Sequence, residues 1–297
     1  MRSVVRDCPP EAAAPERIYS ESQMVTFRLS NGAEIPALGL GTWQSVGNEC
    51  RRAVKHALDL GYTHIDTAVT YENQHDIGQA LKEYGADRAS LFITSKIPRD
   101  SLRAADVEAC TDTILSELMT GYLDLLLIHW PNPSVPLEET LSVFSRLVRS
   151  GKVRNIGVSN FPVSYLKKAE AISDVPITVN QVEFHPMLNQ EELLAYCRSR
   201  KILITAYSPI ARGEVFNNRV IGRIAENRRK SPVQISLRWL IQKGIVAIPK
   251  ATNEEHLRSN IEIFDFELSP DEMRRLDTIA EHRRLISGAW AGIDLDE

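Results

Sequence analysis

Cysteine is scarce in this chain. Cys8, Cys50, Cys110 and Cys197 stand far apart among 297 residues and form no C-x-x-C pair. Such spacing argues against a disulfide framework or a thiolate metal site, and spare thiols fit a reducing, cytoplasmic setting. Long apolar runs are missing as well, since nothing approaches the roughly 18 residues that a transmembrane helix needs. No basic run or stripe is present and the formal net charge is −4, so neither nucleic acid nor a membrane surface is an expected partner. The fingerprint G-x-G-x-x-G is also lacking. Gly39-Leu40-Gly41-Thr42-Trp43 has only its beginning, which counts against an open doubly wound dinucleotide fold.

Apolar residues make up 43% of the chain and charged residues 25%, the balance of a globular protein with a sizeable core. Residues 1–23 are polar, hold Pro9, Pro10 and Pro15, and have no apolar segment of the secretory kind. They are read as a disordered tail, with Met24 an alternative start, ahead of a single domain over 24–297. That domain opens with a hairpin: Val25 to Leu29, a turn at Ser30-Asn31-Gly32, then Ala33 to Pro36.

From there, strand-like and helix-like segments alternate. The strand cores are Ala37 to Leu40, Thr63 to Asp66, Leu91 to Lys96, Leu123 to His129, Asn155 to Ser159, Thr178 to Glu183, Ile202 to Ser208 and Val246 to Pro249. Amphipathic helices are predicted over Glu49 to Leu60, Ala104 to Met119 and Leu137 to Arg149. Gly61, Gly121 and Gly151 are their stops. Ser231-Pro232 starts another helix. Eight strands alternating with helices predict an α/β fold with a parallel sheet, closed as a (β/α)8 TIM barrel. The less periodic stretch after Arg274 is expected to lie over a barrel face.

Asp66, Tyr71, Lys96 and His129 end or follow successive strands of that barrel. The carboxyl ends of barrel strands are where this fold holds its chemistry. A carboxylate, a phenol, an ammonium and an imidazole gathered there form a proton-delivery group. Singly, each is an ordinary surface charge or structural histidine; jointly they point to an enzyme that protonates oxygen. No H-x-x-x-H or comparable spacing supports a metal.

Several longer motifs carry a resemblance. Gly61-Tyr62-Thr63-His64-Ile65-Asp66-Thr67-Ala68-Val69-Thr70-Tyr71-Glu72-Asn73, then Leu123 to Pro131, Gly151 to Phe161 and Ile248-Pro249-Lys250 fall in order along nearly the whole chain. Together they resemble the signatures of the aldo-keto reductases, and the short segment after Tyr207 is similar to that of the prokaryotic 2,5-diketo-D-gluconate reductases. The resemblance implies a reductase of aldehydes or ketones, keto-sugars and dicarbonyls included. In it Tyr71 is the general acid, Lys96 lowers its pKa, Asp66 holds Lys96, and His129 orients the carbonyl. It implies NADPH as cofactor. Ser159, Asn160 and Gln181 would contact the carboxamide and Tyr207 would stack on the nicotinamide. Gly41, Thr42 and Asp66 would lie nearby, with Ser208, Pro209 and Ile210 at the pyrophosphate. Lys250, Thr252, His256 and Asn260 fall at the adenosine end. Trp43 and Trp130, with Tyr71 and His129, would wall the substrate pocket.

One departure bears on the cofactor. Ala251 stands where the family often has Ser, and His256 where Arg is common. Without the guanidinium the grip on a 2′-phosphate is weaker, so NADH remains an alternative. Gln74 replaces a frequent Glu. Monomeric assembly is expected. A role in binding alone is the rival from another class, since fold does not fix function.

Overall fold

The computed structural model describes residues 17–18 and 25–295. The expectation of a disordered tail falls outside these residues, except at Arg17–Ile18. That pair forms β1, antiparallel to β2 (Thr26–Arg28). β2 pairs with β3 (Glu34–Pro36) through the predicted hairpin. Gly32 closes the turn at φ +89°, with its N–H donating to Leu29 O at 2.9 Å. A residue with a Cβ is disfavoured in that region.

Eight further strands form one parallel sheet in sequential order. They are β4 (Leu40–Gly41), β5 (His64–Asp66), β6 (Phe92–Ile97), β7 (Leu123–Ile128), β8 (Val153–Ser159), β9 (Ile177–Glu183), β10 (Leu203–Tyr207) and β11 (Val246–Ala247). Parallel bridges Leu38–Ala247 and Gly41–Lys250 join its first and last members. The architecture is an α/β arrangement of eight parallel strands consistent with a (β/α)8 barrel. β6, β7 and β9 are buried along their whole length. Strands covered on both faces do not alternate in burial; β7 reads as a near-continuous apolar run, while β6 and β9 bury polar groups such as Lys96 and Gln181.

Among the described residues ten helices interleave: α1 (Gly47–Asp59), α2 (Gln74–Tyr84), α3 (Ala104–Glu117), α4 (Leu137–Arg149), α5 (Val163–Ile172), α6 (Glu191–Ser199), α7 (Arg219–Arg228), α8 (Pro232–Gln242), α9 (Glu254–Ile261) and α10 (Pro270–Asp277). Gly61 and Gly151 take the left-handed conformation expected of them, at φ +87° and +77°. The stop assigned to Gly121 is corrected. α3 ends at Glu117 with Leu118 as its C-cap, and Met119 takes the left-handed turn at φ +53° while its N–H bonds Ser116 O. α8 starts at Ser231 with a full capping box, in which Ser231 and Gln234 cap each other's backbone.

Candidate active site

The carboxyl ends of β5 to β10 converge on one cavity of about 520 Å³. β5 terminates at Asp66 and β6 carries Lys96; both are buried. Lys96 Nζ donates to Asp66 Oδ1 at 2.5 Å and to Thr67 O at 2.7 Å. Gln181, from β9, donates to the other oxygen of Asp66 at 2.7 Å. A single 3-10 turn, Val69–Tyr71, brings the Tyr71 hydroxyl to 3.4 Å from Lys96 Nζ. Asn73 anchors this turn. It accepts from Thr67 Oγ1 and donates to Thr42 O and Ser45 O, tying the loops after β4 and β5 together.

His129 follows β7, and its ring meets Tyr71 edge-on with centroids 5.7 Å apart. Thr70 Oγ1 lies 3.4 Å from its Nδ1. Burial, reinforced by the Lys96 charge, pushes the imidazole down to about 3, so it is neutral throughout the physiological range. Burial also lowers Lys96, against the opposing pull of Asp66. The expected lowering of Tyr71 is corrected: the phenol is held well above its usual value by burial and by the Asp66 charge. Lys96 directs its short bonds to Asp66 and Thr67, and meets the phenol only at the limit of hydrogen bonding. The phenol therefore keeps its proton, the form a general acid needs.

A second hydrogen-bonded layer lies beside this group. Ser159 donates to Gln181 O at 2.7 Å, and Asn160 donates to Ser159 Oγ and to His129 O, both at 3.0 Å. Asn160 sits at φ +62°, a conformation Asn tolerates better than most residues. The Tyr207 hydroxyl donates to Asn160 Oδ1 at 2.8 Å.

Of the residues singled out from sequence, the cavity brings together Gly41, Thr42, Trp43, Asp66, Tyr71, His129, Trp130, Ser159, Asn160, Gln181, Tyr207, Ser208, Pro209, Ile210 and Lys250. Lys96 stands behind Asp66. Thr252, His256 and Asn260 do not line it, because the chain turns away into α9. There Asn253 caps the His256 N–H at 2.7 Å, Arg258 pairs with Glu254 and Asn260 is buried. Lys250 is exposed and forms no ion pair among the described residues.

A model of the aldo/keto reductase family matches residues 37–281. The chain belongs to the aldo/keto reductase family. Glyoxal reductase of Bacillus subtilis (strain 168) is 41% identical over 261 residues, covering 88% of this chain and 94% of that protein. A Bombyx mori aldo-keto reductase solved in complex with NADP is 31% identical, with a TM-score of 0.84 over 90% of this chain and 97% of the other. A candidate 2,5-diketo-D-gluconic acid reductase B of solved structure is 38% identical, with a TM-score of 0.84 over 87% and 93%.

In this aldo/keto reductase the sequence motifs missed five wall residues: Gln44, Thr70, Arg212, Ile248 and Ile286. Arg212 stacks its guanidinium 4.9 Å from the centroid of Trp43. Thr70 and Ile248 were in view inside motifs. Arg212 and Ile286 lie on irregular segments, where no periodicity marks the side that faces a site. Among the described residues no helix is long and apolar enough to cross a membrane, and no group of three or more His, Cys, Asp or Glu is placed to hold a metal.

Proposed function

We propose that this enzyme reduces aldehydes and ketones, keto-sugars and small dicarbonyls among them, to alcohols with NADPH. The observation that carries it is the buried Lys96–Asp66 pair set beside a protonated Tyr71 and a neutral His129 on one cavity floor. A reduced nicotinamide supplies the hydride, which no side chain donates.

The residues present fit that group. Ser159, Asn160 and Gln181 offer amide and hydroxyl partners for a carboxamide, beside the Tyr207 ring. Because Gln181 Nε2 is engaged with Asp66, its Oε1 is the atom available to a carboxamide. Lys250 is the cation placed to meet a 2′-phosphate, with Thr252, His256 and Asn260 beyond the cavity. His129 hydrogen-bonds the carbonyl oxygen and Tyr71 delivers the proton to it; Lys96 and Asp66 fix the phenol. Trp43 and Trp130 wall the carbonyl's substituents. We place this work in the cytoplasm, in a monomer with a closed barrel, and Cys50, Cys110 and Cys197 are free thiols. A role in binding alone gives no reason for a buried ion pair beside a phenol.

The test is steady-state oxidation of NADPH and of NADH with glyoxal, methylglyoxal and a keto-sugar. Turnover well in favour of NADPH supports the reading. Equal use of NADH shows that the altered adenosine end no longer selects the phosphate. Cofactor binding with no turnover on any carbonyl overturns it.

A further inference from the structure

The C-terminal segment beyond α10 contributes to the pocket, yet it has little regular structure. Its one turn of helix, Ala289–Ala291, follows a run of coil. Ile286 lines the cavity directly. Trp290 packs edge-on against Trp130, itself a wall residue, with centroids 5.0 Å apart. Beneath the exposed Trp290 ring, Ala291 and Ile293 form a small buried cluster with Trp130, and Ile286 packs against it. A coil that shapes a pocket needs something rigid to hold it.

The rigid partner is Glu183, at the carboxyl end of β9 and 1% exposed. Its Oε1 accepts the Leu285 N–H at 2.8 Å and its Oε2 accepts the Ile286 N–H at 2.8 Å. His185 Nε2, also fully buried, stands 3.0 Å from Oε1. Its Nδ1 has no hydrogen-bond partner among the described residues, so the ring's polar contact is the one to Glu183. Gln190 donates to the Glu183 backbone oxygen at 2.6 Å and accepts from Arg284 at 3.3 Å, so the approach to the clamp is held as well. A buried carboxylate costs much to desolvate, and here backbone N–H donors from the segment meet that need.

We propose that Glu183 is a positioning residue for substrate: its carboxylate clamps two consecutive backbone N–H groups and so fixes Ile286 in the pocket wall and Trp290 as the outer support of Trp130. The clamp sets substrate affinity and leaves the proton-delivery group and the cofactor floor untouched. The proposal rests on the reductase reading.

The test is Glu183→Gln. An amide keeps one acceptor oxygen and turns an NH2 toward the other backbone N–H, so one half of the clamp opens. Loss of one charge-assisted bond corresponds to roughly tenfold. KM for the carbonyl is expected to rise about that much, with kcat and the Kd for NADPH within about twofold. Hydrogen–deuterium exchange should quicken over residues 284–291 while β6 and β7 stay protected. Glu183→Asp should restore part of the KM. Unchanged KM and unchanged exchange overturn the proposal, as does a parallel loss of kcat, KM and cofactor affinity, which marks a general structural role. If Glu183→Gln does not fold, Leu285→Pro removes one of the two N–H donors without touching a pocket side chain and must show the same split; uniform damage there overturns the proposal. Should the wild type turn over no carbonyl, the reductase reading fails by itself, and the exchange experiment still decides whether the clamp exists.

Discussion

Lys96 is wholly buried, and its charge is balanced by Asp66 at 2.5 Å. Breaking a buried pair from one side strands a charge, at a cost of about 3–5 kcal/mol. Lys96→Met is therefore expected to lower unfolding free energy by about that amount, read in urea, and adding Asp66→Asn should recover part of the loss. A Lys96→Met variant as stable as wild type would contradict the pairing. Two histidines make a second prediction. Burial pushes His64 down to about 4 and His129 to about 3, from an ordinary 6.5. Both are neutral in the fold and take up a proton when it opens, so the unfolded state binds more protons below about 6.5 and stability falls as pH is lowered. Melting temperature should decline between pH 7 and pH 5, above the range in which carboxylates titrate; a flat profile there would refute it. The four residues gathered at the cavity could be picked out because each ends or follows a short apolar run. Their electrostatics were not: the direction of the Tyr71 shift is set first by burial and then by the Asp66 charge, and neither is visible before the chain folds.

Elements announced themselves where local chemistry is strong. Ser231-Pro232 marks the start of α8, and Gln234 completes a capping box there. Ser231→Ala is expected to cost about 1 kcal/mol, measured by denaturant midpoint at unchanged slope; no shift would mean that the helix does not rely on its cap. The same device, Ser269-Pro270 with Glu272, opens α10, although the chain beyond Arg274 read only as aperiodic. Gly61 and Gly151 behaved as stops, whereas Met119 took over from Gly121, since a helix end follows where its last carbonyls find donors. The wall residues Arg212 and Ile286 stayed hidden because coil has no period to read.

At the scale of the molecule, the eight-strand count and parallel order followed from alternation alone, and the seam did not. It depends on Gly41. Its N–H donates to Pro249 O at 3.1 Å, and a Cβ placed there would lie 2.5 Å from Ile248 O. Gly41→Ala is expected to push first and last strands apart, lowering both melting temperature and NADPH affinity, because Gly41 and Lys250 share one wall of the cavity. Retention of both would show that the seam has slack.

The account turns on Tyr71 as the proton donor of an NADPH-dependent carbonyl reductase. The most direct measurement is NADPH oxidation by Tyr71→Phe with methylglyoxal, alongside a titration of cofactor binding. The account predicts that turnover falls by about two to four orders of magnitude while the Kd for NADPH stays near that of the wild type. Wild-type turnover in Tyr71→Phe would contradict it.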